Sequence, residues 1–199
     1  KTYSFLSTIE FINEKLTGQN VVDPTNASIR EFFNINTGKW DKDILDIIGI
    51  DESRLPRVMP SGAYIGTLTK KASDTLGIPE SVKVYNGAHD QYCASIGSGV
   101  TEPGQLLIAT GTAWVLFGVS NDPIKQQPYP APCKHPIDGR YGVMTSLAGC
   151  GKAIGLLAAE CNCTAASFDL EIEMNGVAAC REKNKDYFVC SLPEGVALP

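Results

Sequence analysis

The chain has 199 residues, 43% of them hydrophobic and 20% charged, with 17 basic against 22 acidic side chains and a formal net charge of −5. Those values are ordinary for a globular protein and set disorder, collagen and coiled coil aside. No basic cluster exceeds Lys70-Lys71 and no apolar run approaches the roughly 20 residues that span a bilayer, so neither a nucleic-acid partner nor a membrane is expected.

The elements follow in chain order. Residues 2–17 place Phe5, Ile9, Ile12 and Leu16 on one helical face, and Gly18 stands where such a helix would stop. Asp23-Pro24-Thr25-Asn26 reads as a turn, and residues 27–33 as a short helix leading to Asn36-Thr37-Gly38. Asp41 can cap a further helix whose Ile44, Leu45, Ile47 and Ile48 point inward, with Gly49 as its end. Leu55-Pro56 and Met59-Pro60-Ser61-Gly62 break the chain. Residues 64–67 are then extended, and residues 70–76 form a helix closed by Gly77.

From residue 82 the pattern changes. Val82 to Tyr85 predicts a strand, Gly87 breaks it, and Asp90 can cap a helix running from Gln91 to about Ile96. Two apolar runs, 106–109 and 113–117, flank Thr110-Gly111-Thr112 and predict a hairpin. Residues 123–136 hold five of the twelve prolines and read as a loop or edge extension. Residues 141–145 predict a strand, and Gly149 and Gly151 precede a helix through Ile154, Leu157 and Ala158. Beyond Cys161 the pattern weakens.

The seven cysteines include no Cys-x-x-Cys pair and stand beside only two histidines, so reduced thiols are expected rather than a zinc cluster or a disulfide framework. Lys1-Thr2-Tyr3 carries neither an initiator Met nor a signal-peptide core, which suggests a cytoplasmic chain cut from something longer. Gly149-Cys150-Gly151-Lys152 is not a nucleotide P-loop, because Ser146 and Ala153 occupy the positions where glycine and a hydroxyl are needed.

Gly87-Ala88-His89-Asp90-Gln91 is the more informative cluster. Polar residues at the carboxyl end of a buried strand lie where open α/β sheets bind ligands, and a carboxylate there can take a proton from a substrate hydroxyl. The alternative is that Asp90 only caps its helix and His89 only fills the core. Likewise Thr110-Gly111-Thr112 offers backbone N–H groups and hydroxyls to a phosphate, or is an ordinary hairpin turn.

Eight motifs occur together: Asp23-Pro24-Thr25-Asn26-Ala27-Ser28, Thr37-Gly38-Lys39-Trp40, Leu55-Pro56, Gly66-Thr67-Leu68, Gly87 to Gln91, Gly97-Ser98-Gly99, Glu102-Pro103-Gly104 and Thr110-Gly111-Thr112. In order and spacing, over about residues 1–120, they resemble the FGGY carbohydrate kinases. The resemblance implies an α/β fold, ribonuclease H-like, of the actin and sugar-kinase ATPase superfamily, with two domains closing over a cleft. It implies phosphorylation of a sugar or polyol hydroxyl by ATP with Mg2+, the small-molecule substrate being the main partner and self-association left open. Asp90 matches the catalytic base, and Gly111 and Thr112 the second phosphate motif. Gln91 is placed to hydrogen-bond the sugar, while Trp114 either stacks on it or packs in the core.

The domain boundary implied lies between residues 103 and 104, so the chain straddles the hinge: 1–103 would end the N-terminal kinase domain and 104–199 begin the C-terminal one. The family's Asp-x-Gly-Thr motif and its glycine-rich adenosine segment are absent, and such enzymes are more than twice this long. The expectation is therefore an internal, incomplete and inactive fragment with no magnesium ligand of its own. The rivals are a non-catalytic ligand-binding or scaffold module of the same fold, and another kinase of the actin-like superfamily, such as an acyl-phosphate kinase.

Overall fold

A computed structural model describes residues 3–111, 114–123, 132–147, 149–160, 162 and 164–176. The chain divides into two units, one of Lys1–Ala109 with Val115–Ser146 and the other of Thr110–Trp114 with Leu147–Pro199.

In the first unit, helix α1 (Thr8–Thr17) starts late. Ser7 precedes it, and the Glu10 carboxylate reaches back to accept from the Ser7 N–H at 2.6 Å, so the chain before it is not helical. Gly18 ends it at φ 74°, as expected. The most buried residues, however, are not the apolar ones: Phe5 and Ile12 are exposed and Ile9 and Leu16 half-buried, while Glu10 and Asn13 are buried. The physical reason is that both polar residues find partners inside. Glu10 pairs with Arg30 at 2.6 Å, and the Asn13 amide donates to the Val21 carbonyl and to Asn86 Oδ1, each at 3.4 Å.

The segment read as a turn is itself a helix, α2 (Pro24–Ser28), with Asp23 as its N-cap and Pro24 at the first helical position. The helix expected over 27–33 is therefore displaced towards the N-terminus, and its end becomes strand β2 (Phe33–Asn34), which pairs antiparallel with β3 (Lys39–Trp40). Strand β1 (Val21–Val22) pairs in parallel with β4 (Arg57–Val58). Helix α3 (Lys42–Ile48) has the expected Asp41 cap and Gly49 stop. Only Leu45 of its apolar residues is buried, whereas Ile44, Ile47 and Ile48 are exposed. Leu45 joins Val22, Ala27, Phe33, Trp40 and Leu55 in a core in which the Trp40 indole N–H donates to the Pro56 carbonyl at 2.9 Å.

Strand β5 (Tyr64–Thr67) and helix α4 (Lys70–Leu76), capped by Thr69 and ended by Gly77, occupy the expected residues. β5 pairs antiparallel with β6 (Lys83–Tyr85), which leads into helix α5 (Asp90–Gly97). Strands β7 (Leu106–Thr110), β8 (Trp114–Ser120), β9 (Cys133–Lys134) and β10 (Tyr141–Leu147) form a sheet in the order β7-β8-β10-β9, so the expected neighbours β7 and β8 do lie side by side. Tyr92 of α5 packs on Phe117, Val119 and Cys133 of this sheet, its ring 4.7 Å from that of Phe117 and edge-on to it.

The second unit carries the described helices α6 (Cys150–Glu160) and α7 (Ala165–Asn175), which contact one another. α6 follows Gly149 as expected but already includes Gly151, which was expected to precede it. α7 was not foreseen, because Phe168, Leu170, Ile172 and Met174 recur at every second residue and imitate a strand.

Gly142 is the tightest point of the first unit. A Cβ there would meet Tyr92 Cε1 at 2.5 Å and Phe117 Cζ at 2.7 Å, both in rings that are fully buried. Gly142→Ala should therefore destabilise the protein by about 1–3 kcal/mol, the usual cost of overpacking, and a lower denaturant midpoint at unchanged slope is the expected result.

Candidate active site

The site begins where β6 ends. Asn86 is almost fully buried; its amide donates to the Met59 carbonyl at 2.9 Å, and its backbone N–H donates to the Ala63 carbonyl at 2.7 Å. With these bonds made, the chain leaves the strand at a fixed point and turns through Gly87 and Ala88 into α5.

The next anchor is His89, whose backbone N–H donates to Thr25 Oγ1 at 2.7 Å. The Thr25 hydroxyl in turn donates to Asp23 Oδ1. Asp23 is fully buried and also accepts from the N–H groups of Thr25 (2.9 Å) and Asn26 (3.2 Å) and from the Asn26 side-chain amide (2.5 Å). A buried carboxylate with four donors has its lone pairs satisfied, which is what makes its burial tolerable.

His89, and not Asp90, caps α5, with Nδ1 3.3 Å from the Gln91 N–H; the expectation that Asp90 is the cap is corrected. Asp90 is instead the first helical residue. Its Oδ1 takes the Gln91 N–H at the shorter distance of 2.7 Å and lies 3.0 Å from His89 Nδ1. His89 lies outside the helix at ψ 140° with its N–H given to Thr25, so α5 starts one residue earlier than expected and Asp90 falls inside it. Its side chain is 81% exposed, so most of the carboxylate faces solvent and is open to a ligand. Gln91 follows with Oε1 buried and without a partner, an acceptor that a donor could still satisfy.

Of the other sequence candidates, Gly111 is an exposed bend after β7 and Trp114 a half-buried residue opening β8, both belonging to the second unit. Thr112 lies outside the described residues. Sequence reasoning treated Asp23 and Thr25 as a turn. The signal that could have revealed them is Asp followed by Pro, the pattern of an N-cap with proline at the first helical position.

A residue sequence reasoning missed is His135, which is buried with its ring 5.6 Å from Tyr92. Its Nδ1 accepts from the Ile137 N–H at 3.0 Å and its Nε2 has no partner. Burial, with a smaller push from the Arg140 cation, lowers its pKa to about 4, so the ring is neutral. Burial also raises the Tyr92 hydroxyl and the Cys133 thiol above their ordinary values.

Comparison with known proteins shows what the chain is similar to. The sequence model of the N-terminal domain of the FGGY family of carbohydrate kinases matches residues 1–97. Over those residues, just under half of the chain, it matches the FGGY family of carbohydrate kinases. It is 31% identical to the xylulose kinase of Staphylococcus xylosus over 121 residues, 61% of this chain and 25% of that protein. It is 39% identical to a glycerol kinase of Bradyrhizobium sp. (strain BTAi1 / ATCC BAA-1182) over 114 residues, 56% of this chain and 22% of that protein. The chain thus spans about a quarter of the length of these relatives.

Among solved structures, the xylulose kinase of Rhodospirillum rubrum matches with a TM-score of 0.71 and 26% identity, over 92% of this chain and 35% of that one. A ligand-bound xylulose kinase of Lactobacillus acidophilus matches with a TM-score of 0.75 and 23% identity, over 86% of this chain and 36% of that one. These likenesses give the chain the actin-like fold of the FGGY sugar kinases. Asp23, Thr25, His89, Asp90 and Gln91 all fall within the matched residues 1–97, while Gly111, Thr112 and Trp114 fall beyond them. No described helix is long and apolar enough to cross a membrane.

The neutral His135 gives this chain a pH signature. An unfolded histidine titrates near 6.5, whereas the folded His135 takes a proton only at about 4. Between those values the unfolded chain binds the proton that the folded one refuses, so stability due to the neutral ring is complete above about 6.5 and lost as pH falls towards 4. His135→Phe removes the titration. The urea midpoint of the native sequence should fall more steeply than that of the variant from pH 6.5 to 4.

Proposed function

We propose that the complete protein carrying this chain transfers the γ-phosphoryl group of ATP to a hydroxyl of a sugar or polyol, with Asp90 as general base. The observation that carries this reading is an exposed carboxylate held at the first turn of α5, at the carboxyl end of a strand, in a family of carbohydrate kinases. The substrate oxygen attacks phosphorus, Asp90 receives the hydroxyl proton, and ADP leaves with the bridging oxygen. Positioning and charge stabilisation supply most of the acceleration in such a transfer.

Gln91 is assigned a hydrogen bond to the sugar as the neighbour of Asp90 on the first turn of α5. Trp114 is assigned to the apolar side of the substrate. Gly111 and Thr112 are assigned to the nucleotide phosphates, Gly111 through an exposed backbone that lacks a side chain to block approach. A magnesium ion is assigned to residues of the complete protein outside this chain, because the Asp-x-Gly-Thr motif that the resemblance implies for it does not occur in the sequence. We place the domain boundary between residues 103 and 104, supported by the end of the family's N-terminal-domain match at residue 97. A cytoplasmic setting fits the free thiols of Cys93 and Cys150.

Turnover with Mg-ATP across a panel of ketoses and polyols tests the reading on the complete protein. Asp90→Asn should lower kcat by about 10² to 10⁴, the usual contribution of a positioned base, and an undiminished kcat would remove Asp90 from the mechanism. Gly111→Val should weaken nucleotide binding more than sugar binding in calorimetry. The opposite order would displace Gly111 from the phosphate site.

A further inference from the structure

We infer that Thr25, oriented by Asp23, is a positioning residue for Asp90: its hydroxyl sets the place of the α5 N-terminus and through it the place of the proposed base. The inference rests on the assignment of Asp90 above and extends it to two side chains that touch no substrate in that reading.

The hydroxyl of Thr25 has one proton and two lone pairs. The proton is committed to the buried Asp23 carboxylate, which leaves a lone pair for the His89 N–H at 2.7 Å. The direction of the relay is therefore fixed by the charge of Asp23. Thr25 and Asp23 are both fully buried, so water does not substitute for either partner. Asp23 is held by the α2 backbone that it caps, and Thr25 is the second residue of that helix, so the acceptor offered to His89 sits on a short rigid element.

At the receiving end, His89 is the residue whose carbonyl accepts the first helical N–H groups of α5, from Tyr92 at 3.0 Å and Cys93 at 3.1 Å. Moving the His89 backbone thus moves the start of the helix, and Asp90 is the adjacent residue. Proton transfer requires a heavy-atom distance of about 2.6–3.2 Å, and an error of about 1 Å can cost about 100-fold in rate. A threonine that contributed only packing would be replaced without such a cost by valine, which keeps the shape and loses the lone pair.

The experiment uses the complete protein and four forms: native, Thr25→Val, Asp90→Asn and the double variant, with Thr25→Ser as rescue. Thr25→Val is expected to lower kcat by about 10- to 100-fold with little change in KM for the sugar, and Thr25→Ser to restore most of it. In the Asp90→Asn background, Thr25→Val should cost nothing further, because the group it positions has already been disabled. Should Thr25→Val not fold, Thr25→Ala makes the same comparison. An unchanged kcat in Thr25→Val with an impaired Asp90→Asn overturns the positioning role and leaves the base assignment standing. An equal loss in both backgrounds overturns it too, since that is the behaviour of a purely structural residue. A fully active Asp90→Asn overturns the base assignment, and the positioning role with it.

Discussion

The structure of the first unit turns on one buried anion. Asp23 has no solvent contact, yet four donors converge on it from Thr25 and Asn26, two from the backbone and two from side chains. Charge-assisted bonds of this kind are about twice as strong as neutral ones, and a carboxylate buried without them would be prohibitively costly. The local sequence supplies all four within three residues, so the cap forms with little loop entropy. What it organises is distant: the Thr25 hydroxyl reaches His89, and Ser28 at the other end of α2 accepts the Lys134 N–H at 3.0 Å. Two segments far apart in sequence, around residues 89 and 134, are thereby registered against a helix of five residues.

A second buried charge works differently. Glu10 has no exposure, pairs with Arg30 at 2.6 Å and also accepts from Ser7, while Arg30 lies over the Trp40 ring at 5.6 Å. Its other oxygen lacks a partner, so the pair carries a desolvation cost that its geometry only partly offsets. Such a pair is better at fixing register than at adding stability. It joins α1 to the chain just after α2, and Asn13 and Asn86 make the corresponding link between α1 and the end of β6. The buried polar residues of α1 therefore specify where its neighbours go, and the apolar clusters fill the space between them.

This division of labour bears on function. The proposed base is exposed at its side chain, and the backbone under it is tied on both sides: Asn86 holds the strand end, and the Asp23–Thr25 relay holds the helix start. A group that must meet a changing substrate geometry gains from a free carboxylate on a fixed main chain. His89 completes the arrangement by capping α5 while placing its Nδ1 3.0 Å from the Asp90 carboxylate, which limits the directions in which Asp90 can turn.

Local chemistry was legible in the sequence at several caps and breakers, though not at Asp23, whose cap of α2 reads as a turn. Asp41 with Gly49 and Thr69 with Gly77 delimit their helices because caps need only residues three or four apart, and the strand at residues 64–67 is bounded by its own breakers. The motifs that carry the family resemblance were equally visible, because a motif is a property of residue order. Burial was not legible. Ile47 is exposed and Glu10 buried against every expectation from hydropathy, since the side that faces inward depends on which partners the rest of the chain delivers. The capping of α5 by His89 instead of Asp90, and the use of Thr25 as its anchor, depend on a hydrogen bond between residues 64 positions apart. Only the folded backbone could bring that donor and that acceptor within reach.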